Sequence, residues 1–388
     1  MSRSSRIASH IQNLPKSGIR DFFELVNSMD DVISLGVGEP DFATPWSIRE
    51  AAIHALERGH TSYTSNLGLL SLRQEICTYV AEEFSADYDP VDETIITVGV
   101  SEAFDLAIRA ITEPGDEIIF HEPCYVSYNP IIRMALGKPV PIQTLEKNNF
   151  ALDPDDLVKA ITPKTKAIIL NFPCNPTGAN ITLEQKKHIA EIVVEKDLIL
   201  ITDEIYAELT YGERSQTIAA LPGMLERTIF LHGFSKAYAM TGFRLGFACG
   251  PHDLIDAMMK IHQYTMLCAP INAQEAAIEA LKNGKSDMLN MKEHYHQRRN
   301  VIVKRFNDMG LTCVMPEGAF YAYVNISSTG LNSEDFARQL LESQKVAVVP
   351  GTAFTSEGGE NYIRCAYATS IETIEEAMRK IKIFLNSL

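Results

Sequence analysis

A lysine that follows directly on an apolar run is the first candidate for chemistry. Lys236 stands in Gly233-Phe234-Ser235-Lys236, straight after TIFLHG at 228–233. A lysine so near a buried strand end is normally modified or paired. Ser235 offers a hydroxyl and Arg244 a planar cationic fork, both suited to a phosphate. Asp203 closes another apolar run, LILITD at 198–203. A lone carboxylate there must find a cation or a donor. Tyr206 falls on the same side if a helical turn begins at Asp203. Asn175 lies in NFPCNPTG at 171–178, a loop stiffened by two prolines that holds the Asn175 amide toward a ligand oxygen. Gly99-Val100-Ser101-Glu102 follows TIITV at 94–98 and opens a helix whose free N–H groups attract an anion. Tyr125 follows EIIFH at 117–121 and presents a ring for stacking on a planar ligand.

Each group alone also fits a plain structural part: a capped helix, a packed aromatic, a turn, an N-cap aspartate, a surface lysine. Their joint position decides the reading. All follow successive strands, and open α/β sheets bind ligands beyond the carboxyl ends of their strands.

The positioning elements are legible as alternating apolar runs and helical patterns. TIITV, EIIFH, KAIIL (166–170), LILITD, TIFLHG and FRLGFAC (243–249) read as strands. Ser101–Ala110 reads as a helix, and a polar helical stretch starts at Thr182. Nearly all-apolar strands between helices predict a mostly parallel sheet covered on both faces. From Lys285 the pattern changes: a charged helix to Met309, short strands near FYAYV (320–324), VAVVP (346–350) and YIRCAY (362–367), then an amphipathic helix. Thr369 and Glu372 are expected to make its capping box, with Ile371, Ile374, Met378, Ile381 and Leu385 on one face. This predicts a smaller α+β domain at 285–388, a large domain at 46–284, and an N-terminal segment, 1–45, that joins the smaller one.

Composition narrows the function classes. The 388 residues carry 35 basic and 50 acidic side chains, a net charge of −15, which disfavours a nucleic-acid partner. No run approaches 18 consecutive apolar residues, and the first residues lack a signal-peptide core, so a cytoplasmic protein is expected rather than a membrane or secreted one. The seven cysteines at 77, 124, 174, 249, 268, 313 and 365 show no C-x-x-C pair, so neither a disulfide framework nor a metal site is expected. No G-x-G-x-x-G follows the first strand, which disfavours a nicotinamide dehydrogenase.

NPTG (175–178), DEIY (203–206) and SKAYAMTGFRLG (235–246), in this order, resemble the class I/II aminotransferases of the fold-type I pyridoxal-phosphate superfamily. The resemblance spans nearly the whole chain, from ISLGVGEPDF (33–42) and TSYTSNLGLLSLR (61–73) to PEGAFYAYV (316–324), VVPGTAF (348–354) and YIRCAYA (362–368). With HQYTMLCAP (262–270), it is closest in look to the broad-specificity, aromatic and N-acetyl-diaminopimelate branches.

The resemblance implies a seven-stranded sheet and pyridoxal 5′-phosphate as cofactor. It implies Lys236 as the Schiff-base lysine and proton shuttle, and Asp203 as the partner of the pyridine nitrogen. Tyr206 and Asn175 would bond the ring oxygen, and Tyr125 would stack on the ring. Val100, Ser101, Glu102, Ser235 and Arg244 would hold the phosphate. Tyr63 would reach the phosphate of a neighbouring subunit, implying a homodimer with shared sites. Arg364 would clamp the substrate carboxylate with Asn175 and the backbone of Gly38. The Asn175-Pro176 bond is often cis in such proteins, as X–Pro bonds allow. Two departures stand out. Val126 occupies the place of a second proline after the stacking tyrosine. No arginine is evident for a distal carboxylate, which counts against strict aspartate specificity. The implied reaction moves an amino group from an amino acid to a 2-oxo acid with ping-pong kinetics. A C–S β-lyase would use the same lysine and aspartate, and a non-catalytic regulator could keep the fold.

Overall fold

The computed structural model describes residues 6–12, 14 and 29–388; much of the expected N-terminal segment, residues 1–5, 13 and 15–28, lies outside the described residues. The aliphatic runs form one seven-stranded sheet: β2 (Thr94–Thr97), β3 (Glu117–Glu122), β4 (Lys138–Gln143), β5 (Thr165–Asn171), β6 (Ile199–Asp203), β7 (Thr228–Gly233) and β8 (Gly246–Cys249), in spatial order β2-β8-β7-β6-β5-β3-β4. Neighbours pair in parallel except β8, which runs antiparallel to both β2 and β7.

Side chains alternate across the sheet, so each run feeds two cores. Ile95, Ile118, Ile169 and Leu231 pack with Phe104, Ile108 and Ile255. On the opposite face, Ile96, Phe230 and Phe247 pack with Ile76 and Ala276. Every residue of β2, β3, β7 and β8 is buried, which is why these runs carry no polar alternation.

Two details of this sheet differ from the sequence reading. β4 was not among the strands read from the pattern. It contains Pro139 and Pro141, which cannot donate to a ladder and are tolerated because β4 is an edge strand paired only with β3. FRLGFAC is extended only from Gly246; a short 3-10 turn, Thr241–Phe243, and Arg244 at φ 53° precede it. That turn reverses the chain and makes β8 antiparallel.

A second layer contains β9 (Thr312–Cys313), β10 (Tyr321–Asn325), β12 (Val349–Pro350) and β13 (Tyr362–Ala366), an antiparallel sheet in the order β12-β13-β10-β9. The helices Lys285–Asp308, Ser333–Gln344 and Ile371–Leu385 share a core with it, centred on Tyr295, Phe306, Phe320, Phe336 and Ile374. β1 (Ile33–Ser34) pairs in parallel with β11 (Val346–Ala347) and so fastens residues 33–34 to this layer. The last helix is capped one residue later than expected. Ser370, in extended conformation, accepts the Thr373 N–H at 3.1 Å, which leaves Thr369 outside the helix and breaks the Thr369–Glu372 box. Thr and Ser stand side by side there, and only the backbone conformation chooses between them. Of the expected apolar face, Ile374, Met378 and Ile381 are buried, while Ile371 and Leu385 are half-buried. Among the described residues, no helix is long and apolar enough to cross a membrane.

Candidate active site

The strand ends converge on a cavity of about 470 Å³ between the two layers. Lys236, Ser235, Asp203, Tyr206, Asn175, Tyr125, Val100, Ser101 and Arg244 line it from the large sheet, Arg364 from β13, and Gly38 from the segment after β1. Eleven of the thirteen residues singled out in the sequence thus share one space. Glu102 and Tyr63 do not line it. The Glu102 carboxylate faces the back of its helix, 2.7 Å from His262 Nδ1. Tyr63 is 82% exposed on the surface.

Lys236 sits in the short helix Phe234–Ala237 that opens at the end of β7. Its Nζ donates to the Gly38 carbonyl at 2.7 Å. Burial pushes its pKa down to about 8; Arg364 and Arg244 add to the fall, while Glu39 and Asp203 oppose it. The neutral amine is therefore accessible near physiological pH.

Asp203 ends β6 and is 5% exposed. Tyr128 donates its hydroxyl to Asp203 Oδ2 at 2.7 Å, and the Ile205 N–H donates to Oδ1 at 3.2 Å. Burial raises the Asp203 pKa, and the Tyr128 and Ile205 donors act against it. Asn171, at the end of β5, donates to the Asp203 carbonyl at 2.9 Å and accepts the Asn175 N–H at 3.3 Å. The adjoining strands thereby set the height of the loop that follows. The Asn175-Pro176 bond is cis, as expected, and so are Glu122-Pro123 and Phe172-Pro173.

Arg364 is 4% exposed and reaches across from the second layer. It donates to Asn175 Oδ1 at 2.9 Å and to the Gly36 carbonyl at 2.6 Å. Its guanidinium lies over the rings of Tyr321 and Phe354, 4.6 and 4.7 Å from their centroids. Among the described residues, no carboxylate is bonded to it, and its Nε is buried without a partner. A buried cation in this state is costly unless an anion joins it.

The opposite end of the cavity is built by glycines. Gly99 has φ 76°, and a Cβ there would stand 2.6 Å from an Arg244 terminal nitrogen. A Cβ on Gly246 would stand 2.6 Å from the Val100 nitrogen. Only bare backbone lets β8 and Arg244 close on the start of the helix Val100–Ile111.

Tyr128, Asn171, Tyr321 and Phe354 escaped the sequence reading. Tyr321 meets the Tyr206 hydroxyl at 2.7 Å and lies within a β-run that signals only strand. Tyr128 stood three residues after Tyr125, a helical spacing that could have exposed it.

The sequence model of the family "Aminotransferase class I and II" matches residues 30–381. The chain belongs to the class I and II aminotransferases. A Bacillus subtilis protein bearing an aminotransferase name is 53% identical over 383 residues, 99% of each chain. The aspartate aminotransferase of Pyrococcus abyssi is 44% identical over 94% of this chain and 95% of its own. The solved structure of the aromatic aminotransferase from Pyrococcus horikoshii OT3 superposes with a TM-score of 0.90 at 44% identity, covering 95% of this aminotransferase and 99% of that chain. The chain is therefore a transaminase with the fold-type I architecture.

Proposed function

We propose that this aminotransferase holds pyridoxal 5′-phosphate in the cavity and carries an amino group from an L-amino acid to a 2-oxo acid by a ping-pong route. Lys236 carries the reading: an amine in the cavity wall with its pKa lowered to about 8, in one space with Asp203 and Arg364.

The residues suit the group. Ser235, Arg244, Ser101 and Val100 offer a polar, cationic end for a phosphate, beside a Gly99 whose missing side chain leaves the Arg244 guanidinium room. Asp203 would meet the ring nitrogen, Tyr125 would stack on the ring, and Tyr206 and Asn175 would bond its oxygen. When bound, the cofactor supplies an aldehyde carbon that exchanges one amine for another and a ring that withdraws electrons from the substrate Cα. Asp203, ionised against the ring nitrogen, keeps that nitrogen protonated. Lys236, as the neutral amine, would take the substrate Cα proton and hold it for return. Arg364 grips the α-carboxylate with its fork, and Asn175 and Gly38 help fix the Cα–H bond across the ring plane.

The aspartate and aromatic names of the relatives support a broad donor range. Arg244 and Arg364 are the only arginines among the described residues of the cavity wall, so a distal carboxylate finds no third guanidinium among the described residues there. A cytoplasmic homodimer with shared sites is part of the same proposal. Tyr63, Tyr264 and Met266 are 82%, 86% and 53% exposed, a surface suited to a partner subunit whose phosphate site Tyr63 would complete. The division at about residues 45 and 285 is proposed with it, supported by the β1–β11 pairing.

Borohydride reduction of the holoenzyme followed by peptide mass mapping tests the reading: the cofactor mass is expected on Lys236. An unmodified Lys236 nitrogen overturns it. A panel of amino acids assayed against 2-oxoglutarate and pyruvate then gives the donor range, with aspartate expected as one donor among several.

A further inference from the structure

The first turn of the helix Val100–Ile111 has no side-chain cap, because its N-cap is Gly99. The Glu102 N–H and the Ala103 N–H both turn back to the Gly99 carbonyl, at 3.2 and 3.4 Å. Val100 and Ser101 line the cavity and carry two of the first-turn N–H groups that a helix leaves without an intrahelical acceptor. Thr97 ties part of this turn, its hydroxyl donating to the Gly99 carbonyl and its carbonyl accepting the Gly99 N–H, both at 2.9 Å, but the Val98 N–H between them is left to another acceptor.

Glu102 supplies what is missing. Its carboxylate reaches back over the turn and accepts the N–H of Val98, the last residue before Gly99. Its other oxygen lies 2.7 Å from Nδ1 of His262. The Glu102 side chain is 10% exposed and that of His262 is 0% exposed. A carboxylate only accepts, so Nδ1 carries the hydrogen. The other ring nitrogen, Nε2, is buried without a partner, so the imidazole serves Glu102 alone among the described residues. His262 belongs to the helix His252–Thr265, which packs along Val100–Ile111. The chain from Val98 to Glu102 is thereby bolted to a rigid neighbour.

We propose that Glu102, held by His262, is a positioning residue for phosphate binding: it fixes the Val98–Gly99–Val100 turn so that the Val100 and Ser101 N–H groups point at the phosphate. The carboxylate itself does not touch the ligand. Set beside a phosphate it would repel it; behind the turn it stiffens the donors and leaves them free. The inference rests on the cofactor reading above.

Cofactor-free protein titrated with pyridoxal 5′-phosphate and, separately, with pyridoxal tests it, each followed by the absorbance of the Lys236 adduct. Pyridoxal has the aldehyde and ring but no phosphate. Glu102→Ala is expected to weaken pyridoxal 5′-phosphate binding about tenfold, the scale of a lost charge-assisted hydrogen bond, and to leave pyridoxal binding unchanged. Glu102→Gln keeps an acceptor for the Val98 N–H and is expected to lose about threefold, in the same direction. It carries the comparison if the alanine variant does not fold. Equal weakening of both compounds, or no weakening of either, overturns the brace while leaving the cofactor reading intact. Wild-type protein that forms an adduct with neither compound overturns both.

Discussion

Arg364 shows what a single residue demands of its surroundings. Two of its nitrogens are bonded to an amide and a carbonyl, and two rings lie against it, yet no carboxylate among the described residues neutralises it. Arg364→Ala is expected to raise KM for amino acids and for oxo acids about 100-fold or more, the worth of a bidentate charged contact. Cofactor absorbance should change little, so steady-state kinetics and a spectrum of the same sample check it together. Lys236 bears the opposite strain, a cation that burial makes easy to deprotonate. In cofactor-free protein its pKa is about 8, against 10.5 for an ordinary lysine. Below pH 8 both folded and unfolded chains hold the proton, and the folded state bears the whole burial cost. Between 8 and 10.5 the folded chain sheds its proton first and the cost fades. Lys236→Met should therefore be more stable than wild type at pH 7, by about 1–3 kcal/mol. That advantage should shrink as pH rises through the window; paired denaturant titrations at pH 7 and pH 10 measure it.

At the scale of elements, the site is a set of strand ends held at one height. Asn171 ties the end of β5 to the end of β6. Glu122, at the end of β3, gathers donors from Gln143, Ser356 and Thr355 and so knits β3 and β4 to the loop that carries Phe354. β8 approaches the helix Val100–Ile111 because Gly99 and Gly246 lack side chains. Gly99→Ala combines a positive φ with a Cβ 2.6 Å from Arg244. It should cost about 1–3 kcal/mol of stability and push Arg244 off its position. Thermal unfolding without cofactor and affinity for pyridoxal 5′-phosphate should both fall; a variant with wild-type affinity would mean that Arg244 does not serve the phosphate.

Across the whole molecule, the cavity wall takes residues from both layers: Arg364 from the second sheet, Lys236 and Asp203 from the first, Gly36 and Gly38 from the segment after β1. Relative movement of the layers would change the spacing between the amine and the carboxylate clamp. Tyr63 is the one expected site residue that a single chain leaves exposed on the surface outside the cavity wall. Sedimentation should give twice the 43.2 kDa of one chain. Tyr63→Ala should weaken cofactor binding by about five- to tenfold without dissociating the dimer. A monomeric, fully active enzyme would remove Tyr63 from the site.

The order of strands and the polar residue after each were legible in the sequence, because doubly covered strands must be apolar and the residue that ends one is free to be otherwise. Lys236, Asp203, Asn175 and Tyr125 were readable on that ground, and the family motifs added Arg364. β4 was hidden by Pro139 and Pro141, since an edge strand needs only one ladder and tolerates what a central strand does not. Tyr128, Tyr321 and Phe354 were hidden for another reason: an aromatic residue in an apolar run looks the same whether it fills a core or touches a functional group. The direction of the Glu102 carboxylate was equally invisible, because it depends on His262, 160 residues away. Local chemistry and periodicity are properties of neighbouring residues and can be read along the chain. Which side chain faces which is a property of packing between distant segments, and only the tertiary structure decides it.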